Sequence, residues 1–149
     1  MLVYKICRDI YADHLSASGI ANRWNKEDEF VIYTGSSIAL SVLENIAHRA
    51  SINISNRYRL ITIALDGQTS IKEIKSSQLP ISWQSLDAYP HLQDVGSLWY
   101  QECEHLVLKV PSAIVAQEFN YIINTKHTDF GTKVKIIKSE EWVWDSRLL

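Results

Sequence analysis

Phe30-Val31-Ile32-Tyr33-Thr34-Gly35-Ser36-Ser37-Ile38-Ala39-Leu40-Ser41-Val42-Leu43-Glu44 decides how the chain folds. Its first four residues are β-branched or aromatic and run into Thr34-Gly35-Ser36, so they read as a strand ending in a turn. Ser36 or Ser37 then caps a helix, its hydroxyl accepting a hydrogen bond from a free N–H of the first turn. Beyond the cap, Ala39, Val42, Leu43, Ile46, Ala47 and Ala50 recur with helical spacing. Strand, turn and helix together set two polar side chains, Tyr33 and Glu44, beside an apolar packing face. Glu44 has Leu40 and His48 as its i−4 and i+4 neighbours, a setting that suits a carboxylate lining a cleft.

Working outward, Leu2–Cys7 reads as an opening strand and Tyr11–Asn25 as an irregular polar loop, with Gly19 its most flexible point. Tyr58–Leu65 is apolar on both alternating faces, the pattern of a strand covered on two sides, and Asp66-Gly67 turns the chain after it. Asp94 is expected to cap a short helix carrying Val95, Leu98, Trp99 and Cys103. Leu106, Leu108 and Val110 alternate as a strand that Pro111 closes, because proline cannot donate to the ladder. Val134–Ile137 is a further strand, with Trp142 and Trp144 in the tail. These elements lack a regular βαβ rhythm, which predicts α+β: mixed or antiparallel sheet with a few flanking helices. No linker, repeat or low-complexity tract divides residues 1–149, so one domain is expected.

Composition narrows the function classes. A hydrophobic fraction of 46% with 21% charge is that of an ordinary globular chain. The net charge of −2 argues against a dedicated nucleic-acid binder. No apolar run is long enough to cross a bilayer, and the N-terminus lacks a basic, then apolar, then small-residue leader, so a cytoplasmic protein is expected. Cys7 and Cys103 sit beside apolar residues and read as buried thiols; no CxxC or zinc-ligand spacing occurs, and no metal is expected. Glycines at 19, 35, 67, 96 and 131 form neither GxGxxG nor a P-loop, and GxSxG and HExxH are absent. A Ser/His/Asp triad assembled from distant residues stays open, but many serines and five histidines make it uninformative.

The ordered set Arg23-Trp24-Asn25, Tyr33, Glu44 in its Ala39-Leu40-Ser41-Val42-Leu43-Glu44 helix, Val110-Pro111-Ser112-Ala113-Ile114, Asn120 to His127 and Trp144-Asp145-Ser146-Arg147 resembles the RES family. That family comprises bacterial domains named for an arginine, a glutamate and a serine, and known as toxins of toxin–antitoxin pairs. The resemblance covers nearly the whole chain. It departs at Ala21-Asn22, where the family has two glycines, and at Thr125, where it has a proline after the asparagine.

The resemblance implies an ADP-ribosyltransferase-like fold and cleavage of the nicotinamide–ribose bond of NAD+, with NAD+ as substrate and no prosthetic group. Under it, Arg23 would fork onto the pyrophosphate, Tyr33 would stack on nicotinamide, and Glu44 would stabilise the cationic ribose. Ser112 would bind substrate or orient Glu44, and Asn25 and Asn124 would bind substrate. The acceptor is water, phosphate or a protein side chain. The implied partner is an antitoxin with an Xre-like helix-turn-helix domain, forming a hetero-oligomer that masks the cleft, while the toxin itself touches neither nucleic acid nor membrane. Two alternatives stay open: mono-ADP-ribosylation of a cellular protein, and a non-catalytic binding module of the same fold. Residue by residue, bland roles also stand: Arg23 pairing with Glu27 or Asp28, Tyr33 as core, Glu44 solvated beside His48, Ser112 as a cap.

Overall fold

The computed structural model describes all residues from Met1 to Leu149. Seven strands form one sheet: β1 (Leu2–Arg8), β2 (Val31–Gly35), β3 (Tyr58–Leu65), β4 (Ile71–Glu73), β5 (Val107–Pro111), β6 (Phe119–Asn124) and β7 (Val134–Trp142). Their spatial order is β4-β5-β6-β2-β1-β3-β7, and every pairing is antiparallel except β4 with β5. Three helices complete the chain: α1 (Ile38–Ala47), α2 (Tyr89–Glu102) and the single turn α3 (Phe130–Lys133). The α+β expectation holds. No helix is long and apolar enough to cross a membrane.

Each face of the sheet has its own core. Val3, Ile32, Ile61, Ile63 and Ile123 pack on one side. On the other, α2 brings Leu92 and Trp99 against Val31, Leu108, Val110 and Ile122. A third cluster joins Ile6, Tyr58 and Leu60 to Val42 of α1 and to the tail residues Trp142 and Trp144. β3 occupies the span its two-sided apolar pattern predicts, between β1 and β7. β7 runs on through Trp142 as a charged edge, with Lys138 paired to Glu140 at 2.9 Å.

Two sequence expectations are corrected, and one strand had no expectation. Asp94 is not a cap: α2 begins five residues earlier, at Tyr89, with Pro90 in its first turn, where a missing N–H is no loss. Asp94 lies inside that helix and pairs with Lys26 at 2.7 Å. α1 stops at Ala47, and Arg49–Ser51 form a 3-10 turn, so Ala50 lies beyond the α-helix. The stretch from Asn120, whose alternation is broken by asparagines at both ends, is strand β6, central to its half of the sheet.

One pairing differs from the rest. β1 follows β3 from Leu2/Ala64 to Arg8/Tyr58, and β2 follows β6 from Val31/Asn124 to Gly35/Asn120. Between β1 and β2, the only register pair is Tyr4/Gly35. The sheet is therefore two ladders joined at one point, with a seam that opens beyond it. α1 bridges the seam. Ser37 caps it, accepting from the Leu40 N–H at 3.0 Å, and Ser41 Oγ donates to the Tyr4 carbonyl at 2.9 Å. Gly35 permits this docking, since a Cβ there would lie 2.7 Å from Ser41 Oγ.

Candidate functional site

The seam holds a cleft of ≈ 180 Å³, with Lys5 and Ile6 of β1 facing Tyr33 of β2, closed by Glu44 of α1, Asn120 of β6 and Asn22 of the long loop. Glu44 is held on one side only. Its Oε1 accepts from Asn120 Nδ2 at 2.6 Å and from Ser112 Oγ at 2.9 Å, and no protein donor reaches Oε2. Ser112 is 0% exposed. Its Oγ also accepts from the Ile114 and Val115 N–H groups, each at 3.1 Å, which points its single proton at Glu44. The serine thus orients the carboxylate, one of the two roles considered for it. His48 lines the cleft as well, but Glu44 turns to Ser112 and Asn120 rather than to it.

Tyr33 borders the cleft with its ring and is tethered at its tip: its hydroxyl donates to Asn25 Oδ1 at 2.7 Å and accepts from the Trp24 N–H at 3.0 Å. Burial pushes its ionisation well above the ordinary phenol range, so it remains a neutral donor. Asn25 is corrected from substrate contact to knot of the loop. It is 1% exposed, and its Nδ2 donates to the carbonyls of Ile20, Lys26 and Glu29 at 3.0, 3.0 and 3.3 Å. Asn124 is likewise corrected. It is 0% exposed and is spent on structure, donating to the Tyr100 carbonyl at 3.1 Å and accepting from the Lys126 N–H at 2.9 Å.

Arg23 does not face the cleft. Its Nη1 donates to the Trp83 carbonyl at 3.1 Å, and its guanidinium lies 4.6 Å from the Tyr89 ring centroid, a cation–π contact. Lys5 borders the cleft, half-buried and without a hydrogen-bond acceptor or carboxylate partner. Burial lowers its pKa from the ordinary lysine value, the neighbouring Cys7 partly opposing that. The site therefore brings together Tyr33, Glu44 and Ser112 of the expected residues and leaves Arg23, Asn25 and Asn124 outside. Sequence reading missed Lys5 and Asn120. Lys5 carried a signal, a charge set between Val3 and Cys7 on an otherwise apolar strand face; in the stretch Asn120 to His127, the first asparagine rather than the second reaches the cleft.

Lys5, Asn22 and Tyr33 also line a larger, mainly apolar cavity of ≈ 620 Å³ under residues 11–22, with Ile61 and Ile136 on its sheet side. The two departures from the family pattern prove compatible with the loops observed. Among non-glycine residues only Asp28 and Cys103 have positive φ, so neither Ala21 nor Asn22 takes a conformation that requires glycine. Thr125 donates both its N–H, at 3.2 Å, and its Oγ1, at 2.6 Å, to the Phe30 carbonyl, tying β6 to the start of β2; proline lacks that N–H.

The sequence model of the RES domain matches residues 3–145. A Prs ADP-ribosylating toxin from Sphingobium sp. (strain YBL2) is 33% identical over 147 residues, covering 95% of this chain and 91% of that protein. A Toxin Res from Yersinia enterocolitica is 27% identical over 152 residues, covering 99% of both, and a Toxin Res from Pseudomonas putida is 30% identical over 155 residues. In fold, the chain is similar to the crystal structure of the M. tuberculosis MbcT-MbcA toxin-antitoxin complex, with a TM-score of 0.76 at 20% identity, over 95% of this chain and 84% of that one.

Proposed function

The chain belongs to the RES domain family, and on that premise we propose that it is a toxin that consumes NAD+ by breaking the bond between nicotinamide and ribose. The observation that carries this reading is the half-tethered Glu44, with Oε1 fixed by Ser112 and Asn120 and Oε2 free at the cleft. As the C–N bond breaks, its electron pair leaves with nicotinamide, whose ring nitrogen becomes neutral, and positive charge appears on the ribose. A carboxylate about 4 Å away stabilises that charge by on the order of 4 kcal/mol at an effective dielectric of about 20. Because Oε1 is already bound, little reorganisation accompanies the step. Lys5 supplies the cation for the pyrophosphate, the role first expected of Arg23. An acceptor O–H then attacks the anomeric carbon and loses its proton.

Glu44→Gln keeps the shape and removes the charge. Nicotinamide release should fall by roughly 10²- to 10³-fold, and growth arrest with NAD+ depletion on expression in bacteria should disappear. Equal toxicity of wild type and variant, or stable cellular NAD+ during arrest, refutes the mechanism. A second reading, ADP-ribosylation of a cellular protein, is favoured by the name of the relative at 33% identity. NAD+ labelled in its adenosine half separates the two: transfer leaves label on protein, whereas hydrolysis or phosphorolysis leaves it on a small molecule. The structural neighbour was solved as a toxin-antitoxin complex, which supports an antitoxin partner here; that this partner is of the Xre-like helix-turn-helix class and covers the cleft is what the family resemblance adds. Co-expression of that partner should restore growth and co-purify with the chain.

A further inference from the structure

We propose that Glu118 is a positioning residue for Glu44, acting on it through Ser37 and the body of α1. This rests on the reading of Glu44 as the group that meets the cationic ribose. The loop between β5 and β6 grips α1 at two places. At the start of the loop, Ser112 Oγ donates to Glu44 Oε1 at 2.9 Å. At its end, Glu118 Oε2 accepts from Ser37 Oγ at 2.8 Å, while that same hydroxyl accepts from the Leu40 N–H at 3.0 Å. α1 has no acidic residue in its first turn, so the half-buried Glu118 supplies the negative charge that a helix N-terminus favours. Backbone bonds make the loop one piece: the Ser112 N–H donates to the Glu118 carbonyl and the Glu118 N–H to the Val115 carbonyl, both at 2.9 Å. The two grips lie roughly 10 Å apart along the helix axis at about 1.5 Å per residue. Between them, Ser41 Oγ bonds the Tyr4 carbonyl and acts as a pivot. Releasing the cap end lets α1 tilt about that pivot. Glu44 then shifts against Ser112, which is 0% exposed, and against Asn120, which is held in β6 between β2 and β5.

The test compares two substitutions. Glu118→Ala removes the acceptor, whereas Glu118→Gln keeps a carbonyl oxygen for the Ser37 hydroxyl. With NAD+, the alanine variant should lose on the order of tenfold in kcat with KM nearly unchanged, given that misplacement by an ångström can cost on the order of a hundredfold. The glutamine variant should recover most of that loss. Ser37→Gly cuts the same link at a cap where glycine is well tolerated; it should reproduce the alanine loss, and it stands in if Glu118→Ala fails to fold. A lower urea midpoint for Glu118→Ala with wild-type kcat, or a glutamine variant as slow as the alanine one, overturns the proposal. A readout in the ligand-free protein separates this proposal from the reaction itself. The Asn120 side-chain amide donates to Glu44 Oε1 at 2.6 Å, and its NMR signal is identified by its loss in Asn120→Ala. That signal should move upfield in Glu118→Ala, as the bond slackens, and stay in place in Glu118→Gln. Such a movement without nicotinamide release by the wild type would uphold the positioning and sink the reaction; release by the wild type with the signal unmoved would do the reverse.

Discussion

Gly96→Ala tests how the cleft loop is held. A Cβ at Gly96 would lie 1.7 Å from the Trp24 carbonyl oxygen and 2.6 Å from its carbon. Both are backbone atoms, so no rotamer change relieves the overlap, and the loop must back away by roughly 1.5 to 2 Å to regain ordinary contact. That movement breaks what α2 holds on either side: Gln93 Nε2 donates to the Asn22 carbonyl at 3.0 Å, and Ser97 Oγ donates to the buried carboxylate of Glu29. Overpacking costs about 1–3 kcal/mol, the lost neutral bond about 1 and the lost charged one about 1.5–3. Partial relaxation and alanine's better helix propensity, about 0.8–1 kcal/mol, offset part of this. The expected net loss is about 2–4 kcal/mol. With a urea dependence of about 2 kcal/mol per molar, the unfolding midpoint should drop by about 1–2 M. Gly67→Ala is the control, since nothing lies within 4 Å of its Cβ position, and it should stay within about 0.5 kcal/mol of wild type. Coincident urea midpoints for Gly96→Ala and wild type would refute the argument.

Ser112→Ala removes the donor that aims Glu44 but touches no substrate. Nicotinamide release should fall by about tenfold with KM nearly unchanged, and Asn120→Ala should act similarly, the double variant losing less than the product of the two. Lys5 tests linkage. Its folded pKa lies below the unfolded value of about 10.4, so the folded state binds fewer protons between those two values and wild-type stability rises with pH across that window. Lys5→Met should lose NAD+ affinity yet melt above wild type at pH 7, the gap narrowing toward about pH 10.4; a gap that does not depend on pH would contradict the burial. Thr125→Pro restores the family's residue but deletes the N–H bonded to Phe30. Thermal or urea unfolding should register a loss of about 1–2 kcal/mol.

Much of this architecture was legible wherever one face of an element repeats in sequence. β3 and α1 were readable because a short run apolar on both faces and a helical spacing decide them directly. β6 was not, since Asn120 and Asn124 carry its ends and its strand character comes from pairing with β2 and β5. The start of α2 was missed because a proline in the first turn looks like a breaker until the helix direction is known. In the site, Glu44 stood out by its place on the helix, and Ser112 only through the resemblance to the RES family. Where Arg23 points depends on Tyr89 and Trp83, some sixty residues along the chain, and no local pattern carries that. Asn25 and Asn124 illustrate a second limit: an asparagine on a motif and an asparagine on a ligand look alike until the carbonyls around it are counted.

The single pair Tyr4/Gly35 between two otherwise continuous ladders makes the sheet mechanically unlike a uniform plate. Pulled apart across its width, it should part there first, as a perforated page tears along its line of holes. The β1 and β2 amides beside that line should exchange with deuterium sooner than those of β3, which has a full-length neighbour on either side. Anything wedged into the opening, whether a small molecule or a segment of another protein, acts on a joint held by that single pair and by the α1 bond from Ser41 to the Tyr4 carbonyl.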